Sequence, residues 1–256
     1  MGLAEFGRAI GHESRVAMLH ALMGGRALSA TELAWHAGIT NQTASNHLGE
    51  LVQAGLLFRR KCGRFHYFEI NGESVAAFIE RLACDVPDRN GYGPRRAVRH
   101  DLKKARFCYD HLAGELGVGI SKSLMEMGAL VLGRDSYRLP EQEHRIYQEI
   151  GVDLAGVRAK RRQLCPRCLD WTERLPHVAG ALGAAIAGNM VERGFIVRSR
   201  NDRSVAITGP GQSFLVDILG FSPSFFADAP DICKPQYRLS RSPVGKPAPT
   251  DAGRPI

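Results

Sequence analysis

The pattern of apolar and polar positions is most informative between residues 40 and 54. Four apolar residues recur there at i, i+4, i+7 and i+8: Ala44, Leu48, Leu51 and Val52. This spacing predicts an amphipathic helix with one buried stripe. The opposite face carries short hydrogen-bonding side chains instead of the usual Lys and Glu: Asn41, Gln42, Thr43, Ser45, Asn46 and His47. Such side chains suit the base edges of a DNA major groove, so the pattern predicts a recognition helix.

A second, shorter helix is predicted immediately upstream. Ser29 and Glu32 have the spacing of a capping box, in which each side chain bonds the backbone of the other residue. Gly38 then supplies a turn, and Thr40 or Asn41 caps the next helix. A helix, a glycine-bearing turn and a polar-faced helix in this order are typical of a helix-turn-helix.

A cationic hairpin is predicted after the recognition helix. Residues 57–60 and 65–70 have the composition of two strands, and Gly63 is free to take a positive φ at the tip. The hairpin carries four basic side chains: Arg59, Arg60, Lys61 and Arg64. Basic side chains in this position are expected of a wing that lies along DNA phosphates.

Together these segments resemble a known family. Residues 5–83 are similar to the winged-helix domain of ArsR/SmtB-type bacterial transcriptional regulators. The matching segments are residues 11–15, 32–34, 41–48, 54–57 and 63–67. The resemblance implies a homodimer that represses a promoter and leaves it when a ligand binds.

The resemblance also implies that the first and last helices of this domain form the dimer surface. The first helix offers an apolar stripe of Leu3, Phe6 and Ile10, and the last offers Val75, Phe78, Ile79 and Leu82. We expect a monomer to leave both stripes in water, which is typical of an interface.

None of the family's metal sites is present in this sequence. Residues 29–37, which precede the recognition helix, contain no cysteine, and residues 71–84 contain no histidine. Glu50 and Ala54 lie where the cadmium/lead branch of the family carries cysteines. We therefore expect any sensor to lie elsewhere in the chain.

The middle of the chain contains an internal repeat. Residues 111–120 align with 177–186, and residues 125–128 with 191–194, at an offset of 66. Each copy follows a Cys-x-Asp motif, although residues 171–176 are inserted in the second copy. The pattern predicts two helix–hairpin–helix units, at about 108–151 and 168–220, whose small residues allow the two copies to pack closely.

Cysteines are the candidate chemistry of the duplicated unit. A thiol at a helix start lies in positive potential, which lowers its pKa. We expect Cys108 and Cys168 to face each other, with Cys165 as a third ligand and His177 or His111 as a less favoured fourth. This set suits zinc, cadmium, lead or trivalent arsenic, although no cofactor is certain. Two alternatives stay open: a thiol oxidation switch, and small buried residues without a function.

Length and composition set the organisation of the 256 residues. We predict a mainly α fold with small β-hairpins (α+β): a winged helix at residues 1–84, a linker at 85–100 rich in Pro, Gly and charge, the duplicated domain at 101–233, and a disordered basic tail at 234–256.

Charge and apolar content indicate the partner and the compartment. The net charge of +8 and the pI near 9.4 favour a polyanionic partner. We find no signal-peptide pattern and no apolar run long enough for a membrane span, so we expect a cytoplasmic protein whose six cysteines are not structural disulfides.

The sequence predicts a dimeric repressor of double-stranded DNA, not an enzyme, that senses its effector through C-terminal cysteines. One alternative is a thiol-redox enzyme that uses Cys165 and Cys168, but no βαβ pattern surrounds this pair. A second alternative is a DNA-binding protein that responds to no ligand.

Overall fold

The structure is a computed structural model and describes residues 2–62, 65–85 and 100–227. The N-terminal helices are α1 (Leu3–Ile10), α2 (Glu13–Leu22), α3 (Ala30–Ala37), α4 (Asn41–Gln53) and α5 (Glu73–Asp85). The N-terminal strands are β1 (Leu28–Ser29), β2 (Leu57–Cys62) and β3 (Phe65–Ile70). They form an antiparallel sheet in the order β1-β3-β2. The hairpin of β2 and β3 confirms the predicted wing, while its tip at residues 63–64 lies outside the described residues.

Local capping explains why α3 and α4 begin where they do. Ser29 and Glu32 form the predicted capping box at the start of α3, and Gly38 ends that helix with φ +65°. The Thr40 hydroxyl accepts a hydrogen bond from the Thr43 N–H at 3.2 Å and caps α4. The predicted helix-turn-helix is therefore confirmed.

The buried side of α4 anchors it in the N-terminal core. Ala44, Leu48 and Leu51 are buried, as the helical spacing predicts. Beside this core, the buried Arg15 guanidinium donates to the Ala9 carbonyl at 2.6 Å and to Glu50 at 2.6 Å. Arg15 thereby joins the end of α1 to α4, which fixes the orientation of the recognition helix.

The predicted dimer stripes are partly covered within one chain. Phe6 and Ile79 are buried, and the Phe6 ring packs edge-on against Phe78 at 4.7 Å between centroids. The expectation that a monomer exposes both complete stripes is therefore wrong, because α1 and α5 pack against each other. Phe78 is still 43% exposed. The Leu3 side chain lies outside those described.

The C-terminal part repeats one succession of elements. After α6 (His100–Lys104), the first copy comprises β4 (Arg106–Cys108), β5 (His111–Ala113), α7 (Gly114–Glu126), β6 (Val131–Leu132), β7 (Tyr137–Arg138) and α8 (Ile146–Ile150). After α9 (Leu154–Arg158), the second comprises β8 (Arg167–Leu169), β9 (Pro176–Val178), α10 (Gly180–Glu192), β10 (Ile196–Arg198), β11 (Val205–Ile207) and α11 (Gly209–Asp217). A 3-10 turn at Pro223–Phe226 follows.

Each copy opens with a β-hairpin that the sequence pattern did not predict. All six residues of β4 and β5 are buried, so the strands lack the polar alternation that marks a half-buried strand. Tyr109 and Asp110 form the connecting turn, with Tyr109 at φ +59°. The prediction of helix–hairpin–helix copies is thus corrected to hairpin–helix–hairpin–helix.

The two copies interlock by packing each long helix on the other copy's opening hairpin. Helix α7 contacts β9, and α10 contacts β5. At Gly117 and Gly183, which are 66 residues apart, a Cβ would overlap the carbonyl oxygens of Leu112 and Val178. These two glycines therefore allow each helix to approach the hairpin of its own copy, whereas the prediction was close packing between the copies. Between the copies, a Cβ at Gly183 would lie 3.1 Å from Cβ of His111. This packing brings β5 and β9 together.

The opening hairpins also pack on the winged helix. Cys108, Ala113, Cys168 and Ala179 belong to the same buried apolar cluster as the N-terminal helices. The Tyr109 N–H donates to the Met23 carbonyl at 2.6 Å.

Several predicted segments lie beyond the described residues. They are the linker except for its end residues Asp85 and His100, and the whole tail at 234–256. None of the helices within the described part is both long and apolar enough to cross a membrane.

Candidate DNA-binding surface and candidate metal centre

The polar face of α4 lies open to solvent. The exposed residues among those predicted to contact bases are Asn41, Gln42, Thr43, Ser45 and Asn46. The Thr43 hydroxyl bonds to that of Thr40 at 2.9 Å, and the Ser45 hydroxyl donates to the Asn41 carbonyl at 2.9 Å. Gln42 and Asn46 lie one helical turn apart, so their amides share one face.

His47 differs from the other predicted contact residues because it is half-buried. Its ring lies 4.3 Å from the His12 ring, and its Nδ1 lies 3.3 Å from Nη1 of Arg15. Burial, together with the charges of His12 and Arg15, lowers the pKa of His47. The His47 ring thus packs between α4 and α2 instead of extending from the open face.

The basic residues of the wing lie on exposed strand β2. Arg59, Arg60 and Lys61 are exposed, and the Arg60 guanidinium pairs with Glu69 on β3 at 2.8 Å. This pairing offsets part of the positive charge of Arg60. Arg64, also predicted to contact phosphate, lies outside the described residues.

A second cluster lies inside the duplicated domain. Cys108 is directly opposite His111 in the β4–β5 hairpin, and Cys168 is directly opposite His177 in the β8–β9 hairpin. The two sulfur atoms are 3.8 Å apart, and the two Nε2 atoms are 3.2 Å apart. The four ligand atoms all lie within 4.8 Å of one another. Each residue is at most 9% exposed, so this Cys2His2 cluster is shielded from solvent.

A carboxylate lies beside Nδ1 of His111. Nδ1 of His111 lies 3.3 Å from Oδ1 of Asp110, and Nη1 of Arg162 donates to the other oxygen of Asp110 at 2.5 Å. Burial alone would raise the pKa of Asp110, but the bonds from His111 and Arg162 outweigh it and lower the pKa. Asp110 is therefore an ionised partner for the imidazole.

A more deeply buried carboxylate lies near Nδ1 of His177. Oδ2 of Asp170 lies 3.6 Å from Nδ1 of His177, which has no hydrogen-bond partner in the described part of the chain. Asp170 also accepts hydrogen bonds from Arg106 at 2.9 Å, from the Gly114 N–H at 2.6 Å and from the Thr172 hydroxyl at 2.7 Å. These interactions outweigh burial and lower the pKa of Asp170.

The thiols do not have the environment that the sequence predicted. Cys108 lies on a strand, not at a helix start, and its hydrogen bond with Cys168 and its burial raise its pKa well above the usual value. The Cys165 thiol donates to the Tyr137 carbonyl at 3.1 Å, and burial raises its pKa. The expected lowering of the thiol pKa is therefore wrong for Cys108, and the pKa of Cys165 is raised as well.

Membership of the cluster also differs from the prediction. Cys108 and Cys168 face each other as expected, but Cys165 lies outside, and both His111 and His177 lie inside. The sequence did contain a signal that both histidines are ligands: they are 66 residues apart, which is the offset of the repeat. The insertion at 171–176, which lengthens the loop of the second hairpin, concealed that each histidine pairs with a cysteine.

Two arginines connect this cluster to α5. Nη2 of Arg162 lies 2.8 Å from Glu73, and Nη2 of Arg106 lies 3.7 Å from Glu80. Arg162 also pairs with Asp110, beside His111, and Arg106 also pairs with Asp170, near His177. Each histidine is thus joined to α5 through one aspartate, one arginine and one glutamate.

Comparison with known proteins adds a family context. A family model described as a helix-turn-helix domain matches residues 10–58. The uncharacterized HTH-type transcriptional regulator YdfF of Bacillus subtilis is 36% identical over 211 residues, which are 82% of this chain and 93% of that protein. The similarity therefore extends well beyond the helix-turn-helix.

Solved structures with a similar part were also found, each covering 31% of this chain. A homodimeric winged helix-turn-helix DNA-binding domain of Mb0332 from Mycobacterium bovis is 30% identical over 73% of its length, with a TM-score of 0.30. Reduced HlyU from Vibrio cholerae is 28% identical over 82% of its length, with a TM-score of 0.29. The cadmium sensor CMTR from Mycobacterium tuberculosis is 32% identical over 82% of its length, with a TM-score of 0.28.

Proposed function

The chain belongs to the helix-turn-helix transcriptional regulators, with a winged helix of the ArsR/SmtB type, and we propose that it is a homodimeric repressor. In this proposal the dimer binds a specific operator and leaves it when an effector reaches the cysteines of the duplicated domain. The observation that carries the proposal is the exposed, uncharged face of α4 beside the basic strand β2.

The two parts of this surface are suited to different parts of duplex DNA. Gln42 and Asn46 carry amides that match the donor and acceptor edge of adenine, and they share one exposed helix face. Arg59 and Lys61 carry positive charge for the phosphates, which positions the protein without selecting a sequence. We assign base contacts to α4 and phosphate contacts to β2.

A dimer would present two such helices to one duplex. The exposed part of Phe78 on α5 offers apolar surface for a second copy. The similar domain of Mb0332 is homodimeric, which supports the same assembly here. Two recognition helices related by a two-fold axis fit two half-sites of a palindromic operator.

Release by an effector is supported by the shared core of the two domains. Cys108 and Cys168 pack with the winged helix, so a change at these thiols reaches the DNA-binding domain through direct contacts. Nothing described supports the alternative of a redox enzyme with a Cys165/Cys168 pair, since the Cys165 thiol bonds to Tyr137 while Cys168 faces Cys108.

Binding to two duplexes tests the assignment of contacts. We would select an operator from a random pool with the wild-type protein and measure affinity by fluorescence anisotropy for it and for a shuffled duplex. Asn46→Ala should lose about 1–3 kcal/mol of discrimination, because one base contact is removed. Lys61→Ala should weaken binding to both duplexes by the same factor. It should also reduce the slope of log affinity against log salt concentration by about one, because one phosphate contact is removed.

Asn201→Ala is the matched control, since Asn201 is an exposed asparagine of the duplicated domain. This variant should leave both affinities unchanged. If Asn46→Ala weakened binding to the operator and to the shuffled duplex equally, α4 would not select the sequence, and the assignment of base contacts to α4 would be wrong.

A further inference from the structure

We infer that Cys108, His111, Cys168 and His177 bind one divalent cation of the zinc type, and that this ion is the effector of the regulator. The binding site stands on its own geometry, whereas the role as effector rests on the proposed function. The two cysteines and two histidines come from equivalent hairpins of the two copies, so the site exists only when the copies are packed together.

The spacing of the four ligand atoms fits tetrahedral coordination. Bonds of about 2.3 Å to sulfur and about 2.0–2.1 Å to nitrogen place two sulfurs about 3.8 Å apart and two nitrogens about 3.3 Å apart in a tetrahedron. The structure has 3.8 Å between the sulfurs and 3.2 Å between the Nε2 atoms. Sulfur and nitrogen would then be about 3.6 Å apart. Since all four atoms lie within 4.8 Å, no pair of ligand atoms has to approach by more than about 1.2 Å to reach these distances.

The orientation of the imidazoles points to a cation between them. Asp110 lies within hydrogen-bond distance of Nδ1 of His111, at 3.3 Å, and favours the tautomer with the proton on Nδ1. Asp170 lies 3.6 Å from Nδ1 of His177, and its negative charge favours the same tautomer there. Both Nε2 atoms then turn lone pairs toward the same point. A metal ion at that point accepts both lone pairs, and a carboxylate behind a ligating histidine is the usual arrangement in metal sites.

Charge balance also suits a divalent ion in this buried place. As the ion enters, each of the two thiols gives its proton to solvent and binds as a thiolate. Two thiolates, two neutral imidazoles and one divalent cation have a net charge of zero, which limits the cost of burial. An oxidation switch would involve the two sulfurs only, whereas a metal ion uses all four side chains that the hairpins bring together, so the composition of the cluster favours the metal over the oxidation switch.

The donor set narrows the class of ion. Two sulfurs and two imidazole nitrogens in a tetrahedron favour Zn²⁺ or its heavier relative Cd²⁺, whereas Mg²⁺ and Ca²⁺ require oxygen ligands. Because the Cys165 thiol bonds to Tyr137, it supplies no third sulfur. The predicted sulfur-rich site for trivalent arsenic is therefore not favoured.

The site is connected to the winged helix by two routes. Arg162 links Asp110 to Glu73, and Arg106 links Asp170 to Glu80, so both carboxylates behind the histidines are joined to α5. Fixing the two imidazoles on an ion also fixes these carboxylates and the arginines that bind them. The occupancy of the site thereby influences α5, on which the dimer surface is proposed to lie.

Cobalt substitution tests the site in the reduced full-length protein. Wild type should bind one Co²⁺ per chain with the visible bands of a tetrahedral ion and a thiolate charge-transfer band, and Zn²⁺ should displace it. Cys108→Ser and Cys168→Ser should reduce the charge-transfer intensity by about half and weaken binding at least tenfold. Cys165→Ser is the matched control, a buried cysteine of the same domain, and should keep the wild-type spectrum and stoichiometry.

Two results would overturn the site. One is a wild-type spectrum without tetrahedral or thiolate bands, which needs no variant and is therefore independent of any folding defect. The other is equal loss of the bands in Cys165→Ser when circular dichroism shows that the variant is folded.

DNA affinity with and without Zn²⁺ tests the effector role. Zn²⁺ should weaken operator binding at least about fivefold relative to chelator-treated protein, in wild type and Cys165→Ser but not in Cys168→Ser. Equal affinity in both conditions would overturn the effector role and favour a regulator that needs no ligand. If neither form bound any selected duplex, the proposed function would fail, while the cobalt spectrum would still decide the metal site.

Discussion

The two candidate sites of this protein are built in opposite ways. The DNA-binding surface comes from one continuous part of the chain, α4 and the strand that follows it, and its functional side chains are exposed. The Cys2His2 cluster is assembled from two hairpins whose cysteines are 60 residues apart, and its side chains are buried.

This difference determines what supports each site. The surface of α4 needs only a stable helix, because solvent and DNA are the partners of its polar face. The cluster needs the packing of both copies and of α5, since its ligands come from the hairpins of both copies and the neighbouring arginines pair with glutamates of α5. We therefore expect single substitutions around the cluster to cost more stability than substitutions that weaken the helix-turn-helix, and three variants test this order.

Asp170→Ala should have the largest effect. It leaves the buried Arg106 guanidinium without its carboxylate at 2.9 Å and the Gly114 N–H without its acceptor. Removing one partner of a buried ion pair costs about 3–5 kcal/mol, which should be visible as a lower urea midpoint by circular dichroism. The matched control is Asp135→Ala in an exposed turn of the same domain, which should stay within about 0.5 kcal/mol of wild type. Equal midpoints for the two variants would contradict the comparison.

Gly183→Ala should have the next largest effect. Its new methyl group would collide with the Val178 carbonyl and press on Cβ of His111 at 3.1 Å, which separates α10 from the hairpins. Overpacking of this kind costs about 1–3 kcal/mol. Gly188→Ala on the same helix meets no atom within 4 Å and should instead gain up to about 1 kcal/mol from helix propensity. The urea midpoints should move in opposite directions; an unchanged or higher midpoint for Gly183→Ala would show that α10 does not depend on close approach at Gly183.

Ser29→Ala should have the smallest effect. It removes the hydroxyl that accepts from the Glu32 N–H in the capping box of α3, for an expected loss of about 1 kcal/mol. Thr31→Ala, on an exposed position of the same helix, should change stability by less than about 0.5 kcal/mol. A loss in Ser29→Ala as large as that in Asp170→Ala would reverse the expected order of the two regions.

The prediction of the winged helix succeeded because its signals are local. The apolar spacing of α4, its Thr40 cap and the Ser29–Glu32 box each involve residues a few positions apart, and each is present in the structure. The half-buried position of His47 was missed, because the side chains that pack on it, His12 and Arg15, are more than 30 residues away.

The duplicated domain was predicted less completely. The Cys-x-Asp motif that both copies share led to the expectation that Cys108 faces Cys168, and the two sulfur atoms lie 3.8 Å apart. The first opening hairpin was missed because both faces of β4 and β5 are buried, which removes the alternation that identifies a strand. In the second hairpin β8 does alternate, but each strand is only three residues long, which is too short for a clear pattern. Because the hairpins were not predicted, the pairing of each cysteine with a histidine was not visible. Cys165 was therefore favoured over His111 as a ligand, since it is close to Cys168 in the sequence.

The sequence alone determined the elements of the helix-turn-helix and the composition of its polar face, since capping and helical periodicity depend on neighbours along the chain. Only the tertiary structure decided which cysteines and histidines share a site. Strand register turns each cysteine and its histidine to the same side, and the packing of α7 and α10 on opposite hairpins brings the two pairs within reach of one ion.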